Sequence, residues 1–288
     1  MSKETVMVVS GTARRFLNVS DFIDNGFSVI YADKTNYTVF IDKVEYIMAG
    51  LEPYTKKILS KAKKLKMISR CAHGTNNIIP GIVPVMDCRG VLDRTMAEVT
   101  IGYMIMALRH LKQIDINCRM SKWDNKLLGR QMSGKTVGIV GYGGIGQKVA
   151  KLLKGWNVKI LHNDIIKKRS NATLGRVVTE SDIVTLHCDL NPSSWHLIDG
   201  NIINFVKPGA ILINTSRGEV IDEKTLIKNY SKFSCIVLDV FEEEPLSIDS
   251  KLIKLDNVIL GTHSAGMTSE GRELLARRCL KNILDFKK

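Results

Sequence analysis

The sequence predicts an α/β protein built on doubly wound parallel sheets, and three observations carry that prediction. From Lys135 onward, short apolar runs alternate with helical patterns. A glycine turn, Gly141-Tyr142-Gly143-Gly144-Ile145-Gly146, joins one of these runs to the helix after it. The first ninety or so residues repeat the alternation more weakly.

The apolar runs are Thr136 to Val140, Val158 to Leu161, Ile183 to His187, Ala210 to Asn214, Cys235 to Asp239 and Val258 to Gly261. Strands of a parallel sheet are covered by helices on both faces, so they read as continuous apolar runs rather than as alternating ones. Val6 to Val9 and Ser28 to Tyr31 are the candidate strands of a smaller α/β domain. A chain of 288 residues is long for one core, so two domains are expected. Thr95-Met96-Ala97-Glu98 has the spacing of a capping box, which predicts a helix from Thr95 to about Leu111 between the domains.

Composition excludes several function classes. The start, MSKETVMVVSG, has no basic segment followed by a long apolar run and a cleavage site, which predicts a cytoplasmic protein. Met96 to Leu108 is interrupted by Glu98 and is shorter than the ~20 residues a bilayer requires, so it reads as a buried or interface helix. Six cysteines, Cys71, Cys88, Cys118, Cys188, Cys235 and Cys279, form no C-x-x-C pair and read as reduced thiols, with no metal site assigned. The formal charge of +13 raises nucleic acid as a partner, but the densest basic stretch, Lys56 to Lys66, spaces Ile58, Leu59, Ala62 and Leu65 at helical intervals. Its lysines read as the solvated face of an amphipathic helix, and no aromatics interleave them as stacking platforms.

The glycine turn carries the first chemistry. It follows a strand, Lys135 to Val140, and opens a helix, Gln147 to Leu153, which is the context of a Rossmann-type dinucleotide site. Gly141 permits the tight turn, Gly143 lets the backbone approach a pyrophosphate, and Gly146 lets helix and strand pack closely. Gly144 and Ile145 complete the turn, and the anion sits at the helix N-terminus. Asp164 stands eighteen residues past Gly146, where an acid hydrogen-bonds the adenosine ribose and repels the extra phosphate of NADP. NAD is therefore the expected cofactor, although Lys167, Lys168 and Arg169 lie close behind.

Three later segments resemble the D-2-hydroxyacid dehydrogenase family in order and wording. Ile213 to Asp222 (INTSRGEVID) is similar to its arginine segment, Leu238 to Pro245 (LDVFEEEP) to its glutamate segment, and Gly261 to Gly266 (GTHSAG) to its histidine segment. Trp123 and Ser133 to Gly138 fit its lead into the nucleotide domain.

The reaction needs such a trio, because a hydride moves at C2 while a proton moves at the hydroxyl. A histidine side chain ordinarily exchanges its proton in the useful range, so His263 is the expected acid/base. Arg217 offers a planar fork for the substrate carboxylate and polarises the carbonyl. The resemblance implies that Glu244 orients His263, that Asp239 contacts the nicotinamide carboxamide, and that Thr215 and His187 line the cofactor pocket. His110, His162 and His196 carry no pattern that lifts them above structural or surface roles.

In the first domain, Arg70 to Ile78 (RCAHGTNNI) resembles the family loop whose backbone N–H groups cradle the substrate carboxylate, which points to Ala72, His73 and Gly74. It departs from the pattern: Ala72 stands in place of glycine, His73 in place of a small apolar residue and Asn76 in place of aspartate.

The resemblance implies a Rossmann-type NAD domain, residues 95–265, inserted in a smaller flavodoxin-like substrate domain, residues 1–94 plus 266–288. It further implies a homodimer and reduction of a small 2-oxo acid, hydroxypyruvate (giving D-glycerate) or glyoxylate. An NAD(H)-sensing binding protein, like the corepressors that share this fold, is the alternative, since such proteins can retain the trio.

Overall fold

A computed structural model of the chain describes residues 3–123 and 125–288. The first two residues of the predicted substrate domain, Met1 and Ser2, lie outside the described residues, as does Asp124. The chain divides into two compact units, Met1–Leu92 with Gly266–Lys288, and Asp93–Ala265, so the second is inserted in the first along the sequence.

The first unit is a parallel five-stranded sheet of β1 (Glu4–Val8), β2 (Phe27–Tyr31), β3 (Tyr46–Ala49), β4 (Met67–Arg70) and β5 (Val85–Met86). The spatial order is 2-1-3-4-5, the flavodoxin-like order. Successive side chains of a strand face opposite ways, and β1 shows it: Val6 and Val8 join one buried cluster and Met7 another. Between the strands run α1 (Gly11–Phe16), α2 (Val19–Ile23) and α3 (Lys56–Leu59). The amphipathic helix predicted over Lys56 to Lys66 is thus only one helical turn. Thr55 caps it by accepting from the Ile58 N–H, and turns follow, although Leu59, Ala62 and Leu65 are buried as the spacing requires.

The second unit opens with α4 (Asp93–Leu108) and α5 (Leu111–Arg119). Here two expectations are corrected. Thr95 is not an N-cap, because α4 has already begun at Asp93, and Glu98 reaches Arg94 Nε at 2.6 Å instead of turning back to the Thr95 backbone. Nor does the helix run to Leu111: it ends at Leu108, and His110, at φ +52°, turns the chain before α5. A left-handed residue cannot continue a right-handed helix.

Six parallel strands follow: β6 (Thr136–Val140), β7 (Lys159–Asn163), β8 (Ile183–Leu186), β9 (Ala210–Asn214), β10 (Phe233–Leu238) and β11 (Val258–Leu260). Interleaved with them are α6 (Gly144–Leu152), α7 (Leu174–Glu180), α8 (Gly200–Phe205) and α9 (Glu223–Lys228). The order 11-10-9-8-6-7 reverses between β6 and β8, which in such sheets marks the crevice where ligands bind. Every residue of β8 and β9 is buried, as the uninterrupted apolar runs require. One face of the sheet packs with α4 and α6 through Met104, Val137, Ile139, Val149 and Ile213, and the other with α7 to α9 through Val177, Ile203, Leu212 and Leu226. The closing helix, α10 (Ser269–Lys287), belongs to the first unit and packs Leu275, Cys279 and Ile283 into its core. Among the described residues no helix is long and apolar enough to cross a membrane.

Candidate active site

The named residues of the second unit collect at one edge of its sheet, because each stands just past the C-terminal end of a strand. Gly141 follows β6, Asp164 follows β7, His187 follows β8, Thr215 follows β9, Asp239 follows β10, and the Gly261–His263 segment follows β11. Ladder bonds continue past the strand ends and fix their heights: His187 N–H donates to Val140 O at 2.7 Å, Asp239 N–H to Asn214 O at 3.0 Å, and Gly261 N–H to Leu238 O at 2.8 Å.

The glycine turn is shaped by close contact. Gly141 has φ +88°, and a Cβ there would lie 2.5 Å from the His187 carbonyl carbon and the Cys188 nitrogen. A Cβ on Gly146 would overlap the Gly141 carbonyl oxygen, so the α6 start lies flat against the end of β6. A Cβ on Gly144 would strike the Asp93 carboxylate at the head of α4. Gly143 differs, since a Cβ there would meet nothing within 4 Å. Asp164 is tied to this turn, its Oδ2 accepting from Tyr142 N–H at 2.7 Å and its Oδ1 from Ile166 N–H at 2.8 Å. The Tyr142 ring stacks on His162 with centroids 3.7 Å apart.

These residues fit a dinucleotide. The open face of Gly143 leads onto the N-terminus of α6, where unsatisfied N–H groups favour an anion. On the neighbouring ends of β8 and β9, His187 Nδ1 and Thr215 Oγ1 are buried and have no hydrogen-bond partner among the described residues, a cost that a bound polar group removes. The other His187 nitrogen, Nε2, lies 3.0 Å from Thr185 Oγ1, and burial lowers the imidazole to about 3, so the ring is neutral.

The arginine and glutamate segments meet at one close approach, and the histidine segment joins them through Glu244. Gly218 lies so near Phe241 and Glu242 that a Cβ would overlap their backbone, and only glycine allows the two segments to touch. Ahead of it, Asn214 ties the turn by accepting from Ser216 N–H and donating to Arg217 O. The half-buried Arg217 side chain donates from Nη1 to Ser216 O at 2.7 Å. Glu244 is anchored through Oε1 by Phe241 N–H at 3.1 Å, and its Oε2 lies 2.7 Å from His263 Nδ1. A carboxylate can only accept, so Nδ1 carries the proton and Nε2 is the nitrogen that serves a reacting group. His263 has φ +53°, a conformation costly for a side chain with a Cβ.

Asp239 sits elsewhere than on the exposed rim. It is 1% exposed, and its carboxylate accepts from Ser264 N–H at 3.1 Å and Ala265 N–H at 2.8 Å, holding the histidine segment from within. Tyr103 of α4, which the sequence did not single out, donates to the same carboxylate at 3.5 Å. Beside the trio, His196 Nε2 pairs with Glu242 Oε1 at 2.8 Å, and with Asp222 they place three donor atoms within 4.8 Å of one another. Asp222 also caps α9, and Glu242 also accepts from Glu223 N–H.

In the first unit, Ala72 and His73 lie in the bend after β4 and Gly74 follows it. Gly74 has φ +87°, its N–H donates to Asp87 Oδ2 at 3.4 Å, and Ala72 O accepts from Cys88 N–H at 2.9 Å. The loop is supported from below by Asn77, which accepts from Arg70 Nε and donates to Glu52 O.

Comparison with known proteins agrees with this geometry. A family model described as D-isomer specific 2-hydroxyacid dehydrogenase, NAD binding domain, matches residues 101–265. A hydroxypyruvate reductase of Thermotoga maritima is 34% identical over 300 residues, covering 94% of this chain and 98% of its own. A glyoxylate reductase of Thermococcus litoralis is 34% identical over 277 residues, covering 87% of this chain and 83% of its own. Among solved structures, D-lactate dehydrogenase from Aquifex aeolicus, complexed with NAD and lactic acid, superposes with a TM-score of 0.85 at 25% identity, covering 99% of this chain and 95% of that one. With more than half its length matched by the nucleotide domain, and relatives aligned across both units, the chain belongs to the family of D-isomer specific 2-hydroxyacid dehydrogenases.

Proposed function

We propose that the protein is an NADH-dependent reductase of small 2-oxo acids, with glyoxylate or hydroxypyruvate as substrate and NAD preferred over NADP. The observation that carries this reading is the 2.7 Å His263–Glu244 pair on the same sheet edge as the glycine turn. The names of the two curated relatives support the substrate choice. The position of Asp164 supports NAD, with Lys167, Lys168 and Arg169 as the exposed cations that limit the preference.

When bound, NADH supplies the hydride that reduces the carbonyl at C2 of the 2-oxo acid to a hydroxyl. The protein's residues do the rest. Arg217 pairs with the substrate carboxylate and draws electron density from the adjoining carbonyl. His263, protonated on Nε2 and held through Nδ1 by Glu244, gives its proton to the carbonyl oxygen as charge develops there. The net change is one hydride and one proton added across C=O, and the imidazole is reprotonated from solvent. Ala72, His73 and Gly74 of the first unit are assigned to the substrate carboxylate by the family resemblance.

The free thiols of all six cysteines support a reducing, cytoplasmic location. A homodimer is supported by α5 and the segment after it, where Leu111, Ile114, Met120, Trp123 and Leu128 are exposed.

The test is NADH and NADPH oxidation across a panel of 2-oxo acids, with Arg217→Ala and His263→Ala beside the native protein. We expect NADH turnover with glyoxylate or hydroxypyruvate and a loss of about 10²- to 10⁴-fold in each variant. Binding of NADH without turnover of any acid would replace this reading with that of an NAD(H)-sensing protein.

A further inference from the structure

The histidine segment is held by more than its partner glutamate. Asp239 grips it at three points: its main-chain oxygen accepts from His263 N–H at 2.7 Å, and its two carboxylate oxygens accept from Ser264 N–H and Ala265 N–H. Gly261 makes the grip possible, because a Cβ there would overlap Asp239 Oδ1. The grip matters because His263 is left-handed, and a residue in that region relaxes unless its neighbours fix it. Asp239 is itself aimed from behind. Tyr103, on the middle turns of α4, points its hydroxyl at Asp239 Oδ1 across 136 positions of sequence. Burial first, and then the Asp239 charge, push this phenol up to about 12, so it remains a donor throughout the working range.

We propose that Tyr103 and Asp239 are positioning residues for His263, Tyr103 fixing the Asp239 carboxylate and Asp239 fixing the left-handed segment that sets the imidazole against Glu244. The proposal rests on the reading of His263 as the acid/base. It gives Asp239 a role that needs no bound cofactor, and it gives α4 a part in the chemistry through one hydroxyl. Phenylalanine at 103 keeps the ring that packs in the core and removes only the hydrogen bond, so Tyr103→Phe is the discriminating variant.

The experiment measures three properties of the native protein, Tyr103→Phe, Asp239→Asn and His263→Ala. These are kcat and KM for the best 2-oxo acid, NADH affinity by fluorescence titration, and the downfield proton resonance of the His263 Nδ1–H to Glu244 bond. His263→Ala assigns that resonance by abolishing it. We expect Tyr103→Phe to lower kcat by about three- to tenfold, with NADH affinity within about twofold of native and the resonance weakened or shifted. We expect Asp239→Asn, which puts a donor where an acceptor is needed, to lower kcat by about 100-fold and to remove the resonance. If Asp239→Asn does not fold, Tyr103→Phe decides alone. Native kcat and an unchanged resonance in Tyr103→Phe would overturn the role of Tyr103. A resonance retained in a folded Asp239→Asn would overturn that of Asp239. Retained turnover in His263→Ala would instead overturn the acid/base reading, and this proposal with it.

Discussion

His187 ends β8 as a neutral, buried imidazole, and two consequences follow at the scale of a single residue. The first is tautomeric: its Nε2 faces the Thr185 hydroxyl, which presents Nδ1 as the group for a ligand. The second is thermodynamic. Burial depresses the folded pKa to about 3, below the ~6.5 of an unfolded chain, so the unfolded state binds the proton first as pH falls. The stability that neutral His187 contributes is therefore fully present above about pH 6.5 and is lost progressively toward pH 3. By linkage the native protein should lose up to about 2 kcal/mol between pH 7.5 and 5.0 through this residue alone. His187→Gln, which does not titrate, should lack that component. Denaturant unfolding at the two pH values checks it, and equal losses in both proteins would show that His187 is solvated and able to charge in the folded state.

At the scale of elements, the glycine turn separates residues that build the fold from one that admits a ligand. Gly141 has φ +88° and backbone atoms 2.5 Å from where a Cβ would stand, so Gly141→Ala should cost more than about 2 kcal/mol. Gly143 has an ordinary φ of −79° and open space around it, so Gly143→Ala should stay within about 1 kcal/mol of native stability. Its methyl would still stand on the approach to the α6 N-terminus, and NADH affinity should fall at least about tenfold. Thermal melting and NADH titration of the two variants test this; a Gly143→Ala protein that binds NADH as tightly as native would remove the pyrophosphate from this turn. The same element shows what sequence made legible. Strand, turn and helix are contiguous, so apolar runs and glycine spacing were enough to find them. Residues that meet only through the sheet edge were not: nothing in the α4 sequence points Tyr103 at Asp239, and the contact of Gly218 with Phe241 joins segments that pattern alone leaves separate. Thr95 shows the opposite failure. Capping-box spacing is a local signal, and it cannot tell that Asp93 has already started the helix or that Glu98 prefers Arg94.

At the scale of the whole molecule, the net charge of +13 and the exposed apolar side chains make different demands. Like charge spread over a surface opposes self-association. Apolar side chains on α5 and the segment after it favour it, for no residue of α5 is buried within its own chain. Trp123 is 89% exposed, Leu128 84% and Met120 58%, with Leu111 and Ile114 on α5 itself. A large aromatic left in water forfeits the most burial energy, and tryptophan is the commonest anchor where interfaces concentrate their affinity. The short range of charge repulsion at physiological salt, about 8 Å, lets such a contact win over the distributed lysines. We therefore expect twice the mass of one chain by sedimentation at micromolar concentration and physiological salt. Trp123→Glu combined with Leu128→Glu should give the single-chain mass, because each change places a charge where desolvation is required. A native protein that sediments as one chain at tens of micromolar would end the dimer proposal, and would leave Trp123 and Leu128 as exposed apolar side chains with no partner to account for them.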